Sequence, residues 1–137
     1  MARQHIFISH AWKYSNDYNT VVSWLNEAQN DGVLTWSNYS VPQHDPLIDP
    51  YTVIGRNKLK EMLKGQISPA SKVIVISGMY AAYSDWIDFE INASVEYSKY
   101  IIGLKPWGAE KIPTKIQNNA AVMVGWNKKS LIDAILA

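Results

Sequence analysis

Residues 72–77, KVIVIS, carry the clearest strand signal in the sequence. Their four consecutive aliphatic side chains leave the segment without a polar face, which is typical of a strand buried on both sides in a parallel sheet. Shorter apolar runs rich in β-branched and aromatic residues predict four further strands, at 5–9, 33–36, 100–104 and 121–125.

The segments between these strands have the periodicity of helices. In the first interval, apolar residues recur at positions 18, 21, 22, 25 and 28, the spacing of an amphipathic helix. Comparable segments predict helices at 17–29, 52–66, 84–97 and 128–136, and Pro113 is placed to start a further short helix. This alternation predicts an α/β fold, a flavodoxin-like three-layer sandwich built on a five-stranded parallel sheet.

The composition indicates a single domain over residues 1–137. Apolar residues make up 47% of the chain, and 13 basic against 12 acidic residues leave a net charge of +1. This balance gives no reason to expect nucleic acid or an anionic membrane as a partner. The absence of cysteine excludes a disulfide framework and a cysteine nucleophile. With no long apolar run and no signal peptide at the N-terminus, we expect a cytoplasmic protein.

Ligands of parallel α/β sheets bind at the carboxyl ends of the strands. The predicted loops that share this edge are 9–16, 38–50 and 77–84. None carries the glycine pattern of a phosphate loop or of a dinucleotide-binding turn. Ser9-His10 and Ser77-Gly78 stand where a phosphotransfer receiver domain needs aspartates, and the three histidines are scattered. We therefore expect neither phosphotransfer nor a metal.

The start of the third predicted helix holds the strongest candidate for chemistry. Trp86 and Glu90 are four residues apart and so share one helix face, and Ser84 is a candidate N-cap. A carboxylate beside an aromatic plane in a cleft suits the stabilisation of a cationic sugar intermediate. The residues alone leave a second reading open, in which Glu90 is a solvated helix glutamate and Trp86 a core residue.

Several segments resemble TIR domains. The strand ending Phe7-Ile8-Ser9-His10 is similar to the first conserved box of that family, and residues 84–90, SDWIDFE, resemble its S-x-W-x-x-x-E pattern. The usual cysteine after the tryptophan is Ile87 here, a position we expect to face the core. Further motifs resemble the branch grouped with the Thoeris antiphage TIR subunit, at 38–42, 45–46, 76–80, 102–108 and 124–127.

This resemblance implies an NAD+-cleaving enzyme with Glu90 as its catalytic residue. The reaction breaks the N-glycosidic bond between nicotinamide and ribose and yields ADP-ribose, a cyclic ADP-ribose isomer or a conjugate that acts as a signal. NAD+ is then the substrate, and no cofactor is needed. The resemblance also implies self-association when active and a separate effector protein that responds to the product.

The other candidate residues lie near the ends of predicted strands or on the edge loops. They are expected to bind substrate, although turn chemistry or core packing would also explain them. These candidates are Phe7, Ser9, His10, Asn38, Asp45, Ser84 and Trp86.

Two other classes of function stay open. One is a TIR-type adaptor or nucleotide-binding module without turnover, which would need neither Glu90 nor an open cleft. The other is an enzyme similar to nucleoside deoxyribosyltransferases, which would act on nucleosides and leave NAD+ intact. A shared fold cannot choose between these classes.

Overall fold

The computed structural model describes residues 2–9, 16–40, 53–105 and 112–137, and gives the backbone alone for 53–56, 79 and 81–84. Its strands are β1 (Arg3–Ser9), β2 (Thr35–Asn38), β3 (Lys72–Ile76), β4 (Tyr100–Leu104) and β5 (Val122–Val124). Its helices are α1 (Asn16–Asn30), α2 (Val53–Ile67), α3 (Tyr80–Glu96), α4 (Thr114–Asn119) and α5 (Lys128–Leu136), with one 3-10 turn at Ser77–Met79.

The strands form a parallel sheet in the order β2-β1-β3-β4-β5. Helix α1 packs beside α5, whereas α2, α3 and α4 pack against one another, so the helices form two layers with the sheet between them. The flavodoxin-like three-layer sandwich predicted from the sequence is therefore confirmed. None of the helices in the described ranges is long and apolar enough to cross a bilayer.

The core is centred on β1 and β3, each of which has a run of four buried residues, as does the neighbouring strand β4. Residues Ile6 to Ser9 of β1 and Val73 to Ile76 of β3 are all buried. Both faces of these central strands are covered by helices, which explains why their sequences read as continuous apolar runs rather than as alternation. Burial at the core also reaches the carboxyl ends of both strands, where Ser9 and Ser77 lie.

Strand β2 begins two residues later than predicted, at Thr35 rather than at Val33. The end of α1 explains the shift. Gly32 has a positive φ of 75°, its N–H donates to Gln29, and the N–H of Val33 donates to Ala28. These two bonds close a Schellman cap. Because the N–H of Val33 is bonded to the helix carbonyl of Ala28, pairing with β1 begins only at Thr35.

Helix α3 begins four residues earlier than predicted, at Tyr80 rather than at Ser84. The chain leaves β3 directly into the 3-10 turn, and the N–H of Tyr80 donates to the carbonyl of Ser77. The turn therefore passes into α3 without an intervening loop. The prediction that Ser84 caps this helix is wrong, because Ser84 lies inside it.

The C-terminus of α3 repeats the cap of α1 with a serine in the glycine position. Ser98 has a φ of 56°, its N–H donates to Val95, and the N–H of Lys99 donates to Ser94. The left-handed conformation is unfavourable for a residue with a Cβ and costless for glycine.

The Ser98→Gly substitution is expected to raise the free energy of unfolding by about 0.5–1 kcal/mol, because it removes the left-handed strain at an exposed site. Urea denaturation measures the change. Ser68→Gly is the control, since Ser68 is also exposed at a helix end but has no positive φ. Equal effects of the two substitutions would contradict the assignment of the cap.

Candidate active site

A buried hydrogen bond joins the end of β1 to the middle of α3. The Ser9 hydroxyl donates to Oε1 of Glu90 at 2.9 Å, and neither residue has any exposed surface. The two residues are 81 positions apart in sequence, and only the packing of α3 on the sheet brings them together. The result is a carboxylate held at the carboxyl end of a central strand, where ligands of this fold class bind.

Glu90 lies on the apolar face with which α3 meets the sheet. Ile87 and Ile91 on the same face are fully buried, which confirms that Ile87 faces the core. Transferring a carboxylate into such surroundings is costly unless donors compensate it. An apolar residue at position 90 would serve the fold better, so the carboxylate indicates a function. The alternative in which Glu90 is a solvated helix glutamate is wrong.

Trp86 lies one helical turn before Glu90, nearer to the carboxyl edge of the sheet. It is half-buried and packs against the core, with its ring edge-on to Phe89 at a centroid distance of 6.5 Å and an interplanar angle of 84°. The Nζ atom of Lys60 lies 5.4 Å from the centre of the Phe89 ring. Trp86 thus seals α3 against the core and still presents surface near the edge.

Phe7 lies two residues before Ser9 and on the same face of β1, since side chains alternate along a strand. It is fully buried in the core cluster. The structure thus places Phe7 beneath the Ser9–Glu90 pair.

The side chain of Asn38 forms hydrogen bonds around a turn at the end of β2. Its Nδ2 donates to the Tyr18 hydroxyl at 3.2 Å, and its Oδ1 accepts from both the N–H and the hydroxyl of Ser40. The register aligns Asn38 with Ile6, three residues before Ser9, which is about 10 Å along the strand. The structure therefore does not bring Asn38 beside Glu90.

The remaining predicted contacts cannot be placed at the level of side chains. His10 and Asp45 lie outside the described residues, and Ser84 is described by its backbone alone. Within the described ranges, no group of three or more His, Asp or Glu side chains is arranged to hold a metal ion.

Ser77, the residue directly after β3, was not among the candidate site residues predicted from the sequence, although it lies on one of the predicted edge loops and within the family motif at 76–80. Ser77 is only 4% exposed, and its hydroxyl meets no hydrogen-bond partner in the described part of the chain. The signals that could have identified it were its position directly after the clearest predicted strand and its place in that motif. Buried hydroxyls without a partner are uncommon in folded proteins and require an explanation.

Tyr80, the first residue of α3, forms a second polar contact near this edge. Its hydroxyl donates to Asp88 Oδ1 at 2.7 Å. This hydrogen bond, burial, and the charges of Asp88 and Asp85 raise the pKa of Tyr80 from 10.0 to about 12. A raised pKa means that the bond stabilises the fold fully below pH 10 and that this contribution is lost as the pH rises through about 12.

We expect the alkaline absorbance difference between wild type and Tyr80→Phe to show one phenol that titrates near pH 12. In Asp88→Asn the same phenol should titrate closer to pH 10, because the carboxylate that holds its proton is gone. A wild-type difference curve centred on pH 10 would contradict the Tyr80–Asp88 bond.

The sandwich defines the class of the protein, a flavodoxin-like α/β domain, and its buried carboxylate marks a candidate site at the ends of the central strands. The family follows from the sequence match. The model of the TIR-like domain of the Thoeris protein ThsB matches residues 7–111, and the chain belongs to this family. The sequence has no significant match among curated proteins.

Solved structures with the same fold include two proteins that act on nucleosides or nucleotides. A 2-deoxyribosyltransferase from Bacillus psychrosaccharolyticus is 16% identical with a TM-score of 0.62, covering 94% of this chain and 90% of its own. The CMP N-glycosidase BcmB from Clostridium botulinum is 15% identical with a TM-score of 0.58, covering 96% and 98%. A prokaryotic SEFIR domain is 18% identical with a TM-score of 0.50, covering 97% and 93%. At these identities the likeness shows the fold alone.

Proposed function

We propose that this protein cleaves the N-glycosidic bond between nicotinamide and ribose in NAD+, with Glu90 as the catalytic residue. The observation that carries the proposal is the burial of Glu90 on the apolar face of α3, with the Ser9 hydroxyl holding its carboxyl group at 2.9 Å. Membership of the Thoeris TIR-like family supports it, because residues 84–90 of the matched region contain the tryptophan and the glutamate of the TIR pattern.

Departure of the leaving group needs little help from the enzyme. Nicotinamide leaves a pyridinium ribosyl compound as a neutral base, so no general acid is needed. The barrier lies in the cationic, oxocarbenium-like ribosyl centre, which a preorganised carboxylate stabilises in a site that excludes water. Glu90 would act by this charge, by binding ribose hydroxyls or by forming a transient ester. In each role the bond from Ser9 orients the carboxyl group.

Access to this site requires rearrangement. Ser9 and Glu90 have no exposed surface, so a substrate reaches them only when the residues that cover them move. Association of two or more copies would supply such a rearrangement and would make turnover depend on protein concentration. We therefore propose a homo-oligomer as the active form.

The product depends on the acceptor of the ribosyl group. Water gives ADP-ribose, an atom of the same molecule gives a cyclic isomer, and another molecule gives a conjugate. In the proposed role the product is a signal in bacterial antiphage defence, read by a separate effector protein in the cytoplasm. The reaction uses NAD+ as substrate without a further cofactor, and the proposed role involves neither nucleic acid nor a membrane.

A second candidate is cleavage of nucleosides or nucleotides. The likeness to a 2-deoxyribosyltransferase and to a CMP N-glycosidase supports it, because both names denote chemistry at an N-glycosidic bond. A buried glutamate would suit that chemistry too. A non-catalytic adaptor is supported less well, since it has no use for a desolvated carboxylate.

Parallel incubations separate these candidates. The protein at high concentration is mixed with NAD+, with CMP or with deoxyadenosine, and released bases and adenine-containing products are followed by chromatography and mass. We expect nicotinamide from NAD+ and no free base from the other two. Release of cytosine or adenine with intact NAD+ would favour the second candidate, and no release from any of the three, with extract of phage-infected bacteria present, would favour the adaptor.

A further inference from the structure

The hydroxyl of Ser77 occupies the same face and edge of the sheet as the Ser9–Glu90 pair. The register aligns Ser9 of β1 with Val75 of β3, and aligned residues on neighbouring parallel strands leave the sheet on the same face. Ser77 follows Val75 by two residues through Ile76, whose φ of −88° and ψ of 105° keep the chain extended. Ser77 therefore leaves the sheet on the Glu90 face, about 7 Å nearer the carboxyl edge than Val75.

Within the described part of the chain, Ser77 forms a hydrogen bond through its backbone and none through its side chain. Its carbonyl accepts from the N–H of Tyr80 at the start of α3, whereas its hydroxyl meets no partner among the residues that the structure describes. The Ser9 hydroxyl on the neighbouring strand, by contrast, donates to Glu90. Among the described residues at this edge, the Ser9 hydroxyl orients the carboxyl group, and the buried Ser77 hydroxyl has no protein partner and can bind a ligand when the site opens.

We propose that Ser77 is a substrate-binding residue whose hydroxyl binds the 2-hydroxyl of the ribose that carries the reacting bond. The inference rests on the proposed function, in which Glu90 acts at the anomeric carbon. The 2-hydroxyl belongs to the carbon next to that centre and is both a donor and an acceptor, as the serine hydroxyl is. Ser77 then selects ribosyl over 2-deoxyribosyl substrates. A 2-deoxy analogue leaves the buried serine hydroxyl without a hydrogen-bond partner, which weakens binding.

The test compares the binding of two ligands that differ in one oxygen. Calorimetry at high protein concentration measures the affinity for ADP-ribose and for its analogue without the 2-hydroxyl of the terminal ribose. We expect wild type to bind ADP-ribose about 3- to 10-fold more tightly, the range of one neutral hydrogen bond. Ser77→Ala should bind both ligands equally, at the affinity that wild type has for the analogue.

Ser71→Ala is the matched control, because Ser71 directly precedes β3 as Ser77 directly follows it. Its hydroxyl donates to the carbonyl of His5 at the opposite edge of the sheet, so its removal should leave the ligand preference intact. The melting temperature of Ser77→Ala should equal or exceed that of wild type, since no bond within the described structure is lost. A lower melting temperature would assign Ser77 a structural partner and overturn the proposal.

The outcomes separate this inference from the proposed function. Nicotinamide release by a wild type that shows no preference between the two ligands, or by a Ser77→Ala variant that keeps the wild-type preference, overturns the role of Ser77 alone. A preference that disappears in Ser77→Ala, without nicotinamide release, supports Ser77 and overturns the proposed cleavage of NAD+. Wild type that binds neither ligand and releases no nicotinamide overturns both.

Discussion

Glu90→Gln is expected to lower nicotinamide release from NAD+ by a factor of about 100–1,000. The amide keeps the size of the side chain and an oxygen that can accept from Ser9, but it cannot carry the negative charge that stabilises a ribosyl cation. Removal of one preorganised electrostatic group in an active site costs this much in turnover. The substitution therefore tests the charge of Glu90 and leaves its packing nearly unchanged.

Glu96→Gln is the matched control for this variant. Glu96 ends the same helix, but it is exposed, with 60% of its side-chain surface accessible, and lies 3.7 Å from Lys64 in a surface ion pair. Such pairs contribute little to stability, so Glu96→Gln should keep wild-type turnover. Equal turnover of Glu90→Gln and wild type, with both folded by circular dichroism, would remove Glu90 from the reaction.

Ser9→Ala is expected to lower the free energy of unfolding by about 1–3 kcal/mol, because it takes a hydrogen-bond donor from a buried carboxyl group. Turnover should fall by about 10-fold or more, since the carboxyl group loses the bond that orients it. Urea denaturation and the rate of nicotinamide release measure the two effects separately.

A double-mutant cycle shows whether these effects arise from the Ser9–Glu90 bond. In the Glu90→Gln background, Ser9→Ala should have a smaller effect on turnover than in wild type, because the group that Ser9 orients no longer carries the charge. Ser71→Ala provides the comparison, since that hydroxyl donates to a backbone carbonyl at the opposite edge. Strictly additive effects of Ser9→Ala and Glu90→Gln would mean that Ser9 has a packing role only.

The order and type of the secondary structure could be predicted because the apolar patterns in the sequence match the faces that the helices and strands bury in the folded protein. The apolar run of β3 and the helical period of α1 occur where the structure has them. The ends of the individual helices and strands were harder to predict from the sequence. The start of β2 depends on the amide of Val33, which the cap of α1 uses, and the start of α3 depends on a 3-10 turn that no local signal predicts.

The candidate site could be predicted only in part, for a similar reason. The spacing of Trp86 and Glu90 on one helix is a local property, and the TIR pattern draws attention to it. Whether Glu90 faces solvent or core depends on how α3 packs. Its bond to Ser9 spans 81 positions, so it follows from strand order and from no local pattern. The alignment of Ser77 with this face likewise requires the register between β1 and β3.

The most direct test of NAD+ cleavage by this protein is nicotinamide release by wild type over a range of protein concentrations, with and without extract of phage-infected bacteria as a source of trigger. We expect nicotinamide in stoichiometric amounts with an ADP-ribose-derived product, at a rate per protein molecule that rises with protein concentration. Intact NAD+ at the highest concentration, with the extract present and the protein folded, would contradict the proposed cleavage.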